Sequence, residues 1–178
     1  TPTAIPTPIP TPTPTPTPVP LAITPTAFAD GGRIPTLHAC PSAGGQHASP
    51  ALAWNVAPAG TQTFVLLMDD LDVPAEYGPP PASHWVVFNA PSTRLSLPER
   101  VPAGELIAGG GTQGQNRWSG GLEYYGPCPP VGRTHRYQFN LFAVDISLNL
   151  QPGATRAQVL AAMQGHILAE SLLTGVYQ

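Results

Sequence analysis

The sequence predicts a mostly β domain with one helix near its C-terminus, and three observations support this prediction. Short apolar runs alternate with segments rich in glycine and proline, which is the pattern of strands joined by turns. One later stretch has apolar residues at helical spacing behind a capping sequence. Apolar residues make up 42% of the 178 residues, so the chain can form a core of ordinary size.

Residues 1–26 are predicted to be a disordered tether rich in Thr and Pro, followed by one domain at residues 27–178. The first 20 residues read TPTAIPTPIPTPTPTPTPVP and carry no charged side chain. Each proline fixes φ and removes a backbone donor, so we expect an extended spacer of roughly 60 Å at ~3.1 Å per residue. Three interpretations of this segment remain open: a plain solvated linker, a spacer at a cell surface, and a proline-rich ligand for a partner domain.

Three apolar segments are predicted to form the central strands. They span residues 62–69, 83–90 and 136–144 and are rich in branched and aromatic side chains. Residues 52–56 are a shorter candidate. Because these runs are apolar over most of their length, we expect the strands to be buried.

The predicted helix begins after Thr155. Gln158 stands three residues beyond it, which is the spacing of a capping box. Gly175 follows the expected end of the helix. The apolar residues at helical intervals are Val159, Leu160, Met163, Ile167 and Leu168.

Composition excludes some partners. The formal charge is −3, and all seven cationic residues are Arg, with no basic stripe for nucleic acid. No run of 18 apolar residues is present, so no transmembrane segment is expected. The chain begins with Thr1 rather than Met, and we interpret it as a mature or trimmed product.

Cys40 and Cys128 are the two cysteines of the chain. In an exported protein they would form one disulfide, whereas in a cytosolic protein they would be two buried thiols. The Thr/Pro-rich tether favours export, so we expect a periplasmic, extracellular or cell-surface protein.

Three carboxylates, Asp69, Asp70 and Asp72, follow directly on an apolar strand. Buried carboxylates need a partner, so one of them could face a pocket and hold a histidine or a cation. A solvated strand end is the alternative. The spacing does not match a calcium-binding loop.

Histidines open two of the predicted strands, at His84 and His135. Because residues i and i+2 of a strand share a face, His135 and Tyr137 point the same way and Arg136 points to the other side. Two imidazoles and a phenol near a carboxylate would form a polar cavity suited to phosphate or carboxylate, with each imidazole donating to the anion. Taken singly, each histidine could equally be a structural hydrogen-bonding group.

Other chemistry has weaker support. His38, Cys40 and His47 are possible zinc or copper ligands, but their spacing is not that of a closed site, so no metal is predicted. The Gly-rich segment at residues 109–121 lacks the P-loop lysine. No nucleophile is identifiable, so we expect neither catalysis nor a cofactor.

Five motifs, in this order and with these gaps, resemble the phosphatidylethanolamine-binding protein family, in particular its bacterial Raf-kinase-inhibitor-like branch. The motifs are SPALAW at 49–54, DLDVP at 70–74, HWVVFNAP at 84–91, YYGPCPP at 124–130 and HRYQFNLFAVD at 135–145. The resemblance implies a β-sandwich with a C-terminal helix, few peripheral helices and a small pocket for phosphate-like anions at one end. Carried over position by position, it implies a ligand-binding set of Asp70, Asp72, Pro74, His84, Gly126, Pro127, His135 and Tyr137.

Two positions depart from the family pattern. Leu71 stands where the family usually has proline between two aspartates, and His47 stands where Asn is frequent.

From the resemblance and the pocket residues, we expect a non-catalytic protein that binds a phosphate, a phospholipid head group or a similar small anion. The alternatives are a protease- or kinase-inhibiting interaction module with a protein target and, less favoured, a hydrolase. The sequence leaves the natural ligand, the partner and the oligomeric state open.

Overall fold

The computed structural model describes residues 20–25 and 27–178. In this part of the chain, eight strands, one α-helix and three short 3₁₀ helices are present. The strands are β1 (Ile23–Pro25), β2 (Leu52–Trp54), β3 (Thr63–Asp70), β4 (Ala82–Pro91), β5 (Ser96–Leu97), β6 (Thr112–Gln113), β7 (His135–Val144) and β8 (Ile167–Tyr177). The helix α1 spans Arg156–Ala162, and the 3₁₀ helices span Thr36–His38, Pro41–Ala43 and Ala75–Tyr77.

The strands form two antiparallel sheets. The smaller sheet has the order β1-β2-β5, and the larger has the order β6-β4-β3-β7-β8. The predicted β-sandwich with a helix near the C-terminus is therefore confirmed. The three central strands also form where the sequence predicts them, within two residues at either end.

Strand β3 contributes to two apolar cores because its side chains alternate between the faces of the large sheet. Phe64, Leu66 and Met68 face the core shared by the two sheets. Val65 and Leu67 face a second core on the opposite side, which is covered by Val159 of α1 and by Met163 directly after the helix. Burial on both faces explains why β3 is a continuous apolar run.

Helix α1 begins with the predicted capping box but ends earlier than predicted. Thr155 and Gln158 exchange side-chain and backbone hydrogen bonds at its first turn. The helix ends at Ala162, and Gly165 then adopts a left-handed φ of 82°. Ile167 and Leu168 lie in strand β8 rather than continuing the helix; Ile167 pairs with Val144 of β7, and Leu168 lies at a register shift beside it. The local helical spacing is overridden by pairing along the sheet.

The start of the domain also lies earlier than predicted. β1 pairs with β2 in register from Ile23 opposite Trp54, and Leu21 is 6% exposed within the shared core. Residues 20–25 therefore belong to the domain, and the boundary after residue 26 is wrong. The prediction for residues 1–19 lies outside the described residues.

Cys40 and Cys128 form a disulfide in the structure. It joins the 3₁₀ helix Pro41–Ala43 to the loop before β7, and the Cys40 amide donates to the Pro127 carbonyl beside it. Across residues 20–25 and 27–178, no helix has the length and apolar character needed to cross a bilayer.

Candidate functional site

A cavity of about 280 Å³ opens at one end of the large sheet, where β3 ends and where β4 and β7 begin. This volume is at the low end of small-molecule sites, so it suits a compact ligand. Three of the predicted residues that line it, Asp70, His84 and His135, come from three neighbouring strands. The full lining is Asp70, Val73, Pro74, Tyr77, His84, Trp118, Tyr125, Cys128, Pro130 and His135.

Asp70 fixes the orientation of His135. Its Oδ2 lies 2.8 Å from Nδ1 of the imidazole, and its Oδ1 accepts a hydrogen bond of 2.8 Å from the Asp72 amide. Both groups are buried. Because the carboxylate only accepts, Nδ1 of His135 carries the proton and Nε2 remains for a ligand.

His84 has both ring nitrogens occupied. Nδ1 lies 2.7 Å from the Tyr125 carbonyl, and Nε2 lies 2.7 Å from the indole nitrogen of Trp118. A carbonyl only accepts and an indole N–H only donates, so His84 is the neutral Nδ1–H tautomer. Burial lowers the pKa of this imidazole from 6.5 to about 4, which agrees with a neutral ring. In this arrangement neither ring nitrogen of His84 is free to donate to an anion.

Tyr137 lies beneath the cavity rather than in its wall. Its ring is 5.2 Å from the ring of His84 and 6.3 Å from the ring of His135, measured between centroids. The hydroxyl is buried and has no hydrogen-bond partner of good geometry. Burial and the charge of Asp70 raise the pKa of this phenol, so it stays protonated. As predicted, Tyr137 and His135 share the face turned to the shared core, but the phenol does not reach the open cavity.

Asp72 belongs to a shallow groove that adjoins the cavity through Pro74, Pro130 and His135. Its carboxylate accepts three hydrogen bonds from Arg136, one from the amide and two from the guanidinium, and these bonds lower its pKa. The amide of Leu71 donates to the Arg136 carbonyl. The turn lacks the usual proline at Leu71, and this extra backbone bond supports it instead.

Gly126 and Pro127 lie behind the wall and do not line the cavity. The Gly126 amide donates to Nδ1 of His47, 2.9 Å away, and a Cβ on Gly126 would lie 2.2 Å from the His38 carbonyl oxygen. The structure therefore places these two predicted residues outside the cavity lining, in a closely packed loop. His47 has a φ of 50°, in the left-handed region that the Asn of the family also tolerates.

Three aromatic residues that the sequence reasoning missed form one side of the cavity. Tyr77 ends the 3₁₀ helix Ala75–Tyr77, Trp118 and Tyr125 come from loops, and successive ring centroids are 6.2 Å and 6.5 Å apart. A signal was available for Trp118, because a large aromatic side chain in a Gly-rich polar loop needs a partner to pack against. Tyr125 lies within the family motif at 124–130 and Tyr77 lies shortly after the motif at 70–74, but their approach to Trp118 depends on tertiary contacts.

The other predicted polar groups lie away from this cavity. Asp69 is buried on the opposite face of the sheet, where it pairs with Arg156 at 2.8 Å, and desolvation raises its pKa despite this pairing. Cys40 is in the disulfide and His38 bonds to the Ala48 carbonyl, so these residues do not form the metal site that the sequence left open. The described residues contain no cluster of His, Cys, Asp and Glu suited to a metal ion.

The cavity-bearing fold has known relatives. The family model described as phosphatidylethanolamine-binding protein matches residues 24–178. A UPF0098 protein of Methanothermobacter thermautotrophicus is 43% identical over 152 residues, covering 85% of this chain and 95% of that protein. A UPF0098 protein of Aquifex aeolicus is 40% identical over 154 residues, with 85% of each chain covered.

Two crystal structures have the same architecture. One is of a homologue of phosphatidylethanolamine-binding protein from Chlamydia trachomatis, with a TM-score of 0.79 and 33% identity over 89% of this chain and 97% of that chain. The other is of Escherichia coli YbcL, described as a member of the mammalian family, with a TM-score of 0.79 and 27% identity over 90% and 99% of the two chains.

Proposed function

This chain belongs to the phosphatidylethanolamine-binding protein family, and on that premise we propose that it is a non-catalytic protein that binds a small anion. The anion, a phosphate head group or a carboxylate, binds at Nε2 of His135. The main support is the 2.8 Å contact between His135 and Asp70, which fixes the ring with this nitrogen at the cavity. Family membership supports a binding function in general, and this contact supports the anion.

The chemistry at His135 fits an anion in a compact, partly dry site. A protonated imidazole donates from both nitrogens, so His135 can bond Asp70 and the ligand at the same time. His84 cannot take this role, because Trp118 and Tyr125 occupy both of its nitrogens.

The lining favours binding over catalysis. Among the described residues that line the cavity there is no serine or threonine, and the one cysteine, Cys128, is in a disulfide. A hydrolase acting through a serine, threonine or cysteine nucleophile would need one of these groups beside a base. Asp70 and His135 alone form a pair that orients and binds.

We also propose that the protein acts outside the cytoplasm. The disulfide between Cys40 and Cys128 supports this, since such bonds persist in oxidising compartments. The Thr/Pro-rich N-terminal sequence is compatible with a surface spacer.

Calorimetry with inorganic phosphate and O-phosphorylethanolamine tests the anion site. His135→Ala should weaken binding roughly 10- to 100-fold, the usual effect of losing a charge-assisted hydrogen bond. His166→Ala is the matched control, because His166 makes the same 2.8 Å contact with Asp145 at a partly exposed position that does not line the cavity. Failure of the unmodified protein to bind either ligand, or full affinity in His135→Ala, would overturn the proposal.

A further inference from the structure

Trp118 closes one side of the cavity to anions. Its indole N–H donates to Nε2 of His84 at 2.7 Å, and the two rings meet edge to face with centroids 5.6 Å apart. An anion cannot replace the indole at this nitrogen, because neutral Nε2 is itself an acceptor. The N–H of Trp118 is therefore unavailable to an anion, and this residue offers the cavity its ring surface.

Neighbouring residues hold Trp118 in place. The buried side chain of Asn116 accepts from the Trp118 amide at 2.9 Å and from the Ser119 amide at 2.8 Å. The guanidinium of Arg117 donates to the Tyr77 and Pro79 carbonyls, which ties the loop of Tyr77 to the loop of Trp118. The aromatic wall is thus fixed before a ligand arrives, which reduces the entropic cost of binding.

The cavity consequently has two chemically different sides. Asp70 and His135 form a polar end, and the rings of Tyr77, Trp118 and Tyr125 form the aromatic side. Val73, Pro74 and Pro130 add further apolar surface. A ligand that fills this space needs a flat organic group attached to its anionic group, because flat groups stack well on aromatic side chains.

We propose that Trp118 determines the specificity of the cavity, selecting anions that carry a flat unsaturated group over anions of the same charge with a small saturated group. This inference rests on the proposed anion site at His135. The ring of Trp118 supplies the selectivity, and its N–H keeps His84 from contributing to anion recognition.

Two phosphate monoesters of like charge, phenyl phosphate and methyl phosphate, provide the test by calorimetry. The unmodified protein should bind phenyl phosphate roughly 10-fold or more tightly than methyl phosphate, from stacking and apolar burial together. Trp118→Phe keeps a ring and should keep most of this ratio. Trp118→Leu removes the ring, so the ratio should fall towards one while methyl phosphate still binds. Trp54→Phe, in the core beside Phe64, is the control and should behave as the unmodified protein.

Retained binding of methyl phosphate by Trp118→Leu shows that this variant is folded and keeps its anion site. A second readout is the indole N–H resonance of Trp118, identified by its loss in Trp118→Phe, which should shift with phenyl phosphate more than with methyl phosphate. Equal binding of both esters by the unmodified protein, or an unchanged ratio in Trp118→Leu, would overturn the specificity inference but leave the anion site standing. If neither ester binds, the anion site fails and this inference fails with it.

Discussion

His84 and His135 bring the same side chain to one cavity, yet their hydrogen bonds give them opposite roles. His135 has one nitrogen bonded to a carboxylate, whereas His84 has a donor and an acceptor on its two nitrogens. The difference depends on Trp118 and Tyr125, which lie 34 and 41 residues after His84 in the sequence. Residue identity therefore predicts that an imidazole is present, and only its partners decide whether it can bind an anion.

Acidification is expected to destabilise the protein through His84. The unfolded chain takes up this proton near pH 6.5, whereas burial lowers the pKa in the folded protein to about 4. Between these values the unfolded state holds more protons, so the free energy of unfolding falls as the pH falls. At about 1.4 kcal/mol per pKa unit, the full loss from His84 is roughly 3 kcal/mol.

Urea denaturation at several pH values between about 7 and about 4 measures this effect. His84→Asn keeps an amide donor for the Tyr125 carbonyl but does not titrate, so its stability should depend less steeply on pH. His47, whose pKa burial also lowers, contributes to both proteins and cancels in the comparison. Equal pH dependence in the two proteins would contradict the assigned state of His84.

At the level of elements, the alternation of strand β8 predicts different effects on stability for substitutions at two adjacent leucines. Leu173 is 1% exposed and Leu172 is 54% exposed, as expected for neighbouring residues of a strand. Leu173→Ala should cost about 2–5 kcal/mol of unfolding free energy, and Leu172→Ala should change it by less than about 0.5 kcal/mol. Chemical denaturation of the two variants checks this, and similar losses in both would contradict the strand.

The sequence predicts strands well where burial is continuous and poorly where it is not. β3 and β4 are predicted because both of their faces are covered, which produces long apolar runs, and β7 is predicted because its first half alternates and its last four residues are all buried. β8 has one covered face and exposed leucines on the other, and this mixture imitates helical spacing over its first residues. β5 and β6 have two residues each, too few to show any periodicity.

The candidate site also contains residues that the sequence predicts and residues that it does not. Asp70, His84 and His135 lie in or at the ends of predicted strands, within motifs of a recognisable family, so sequence reasoning finds them. Tyr77 ends a 3₁₀ helix and Trp118 lies in a loop, and Arg117 joins the two segments by donating to the carbonyl groups of Tyr77 and Pro79. No local pattern encodes such a long-range bond, which is why the aromatic wall was missed.

β1 gives a prediction about truncation. Removal of residues 1–19 should leave the melting temperature nearly unchanged, because this segment has little apolar sequence to bury. Removal of residues 1–26 should lower it by several degrees, since Leu21 and the pairing of β1 with β2 are lost. Calorimetric melting of both forms measures the difference. Equal melting temperatures would mean that β1 adds nothing to the domain.

For the whole molecule, the stability of the fold should depend on the disulfide, and such bonds persist mainly in oxidising compartments. Closing a loop of 88 residues should stabilise the folded state by about 2–4 kcal/mol, so replacing both Cys40 and Cys128 by Ser should cost that amount. Because Cys128 lines the cavity, the same variant should also bind phosphate less well. Denaturation and calorimetry measure the two effects.

Thiol labelling shows whether the bond exists in the cell. Protein isolated from its native compartment and denatured without reductant should present no reactive thiol. Two labelled thiols per chain would contradict both the bond and the proposed export.

The attachment of the N-terminal segment has a mechanical consequence. Asn55 donates to the Pro20 carbonyl at 2.6 Å and accepts from the Ala22 amide at 2.8 Å, at the point where the chain enters β1. Tension applied through the residues before Pro20 would act first on these two bonds and then on the three residue pairs that join β1 to β2. β1 is an edge strand of the small sheet, whereas Asp70, His84 and His135 lie in the large sheet. Under load, the short edge strand should detach at low force while the anion site keeps its shape.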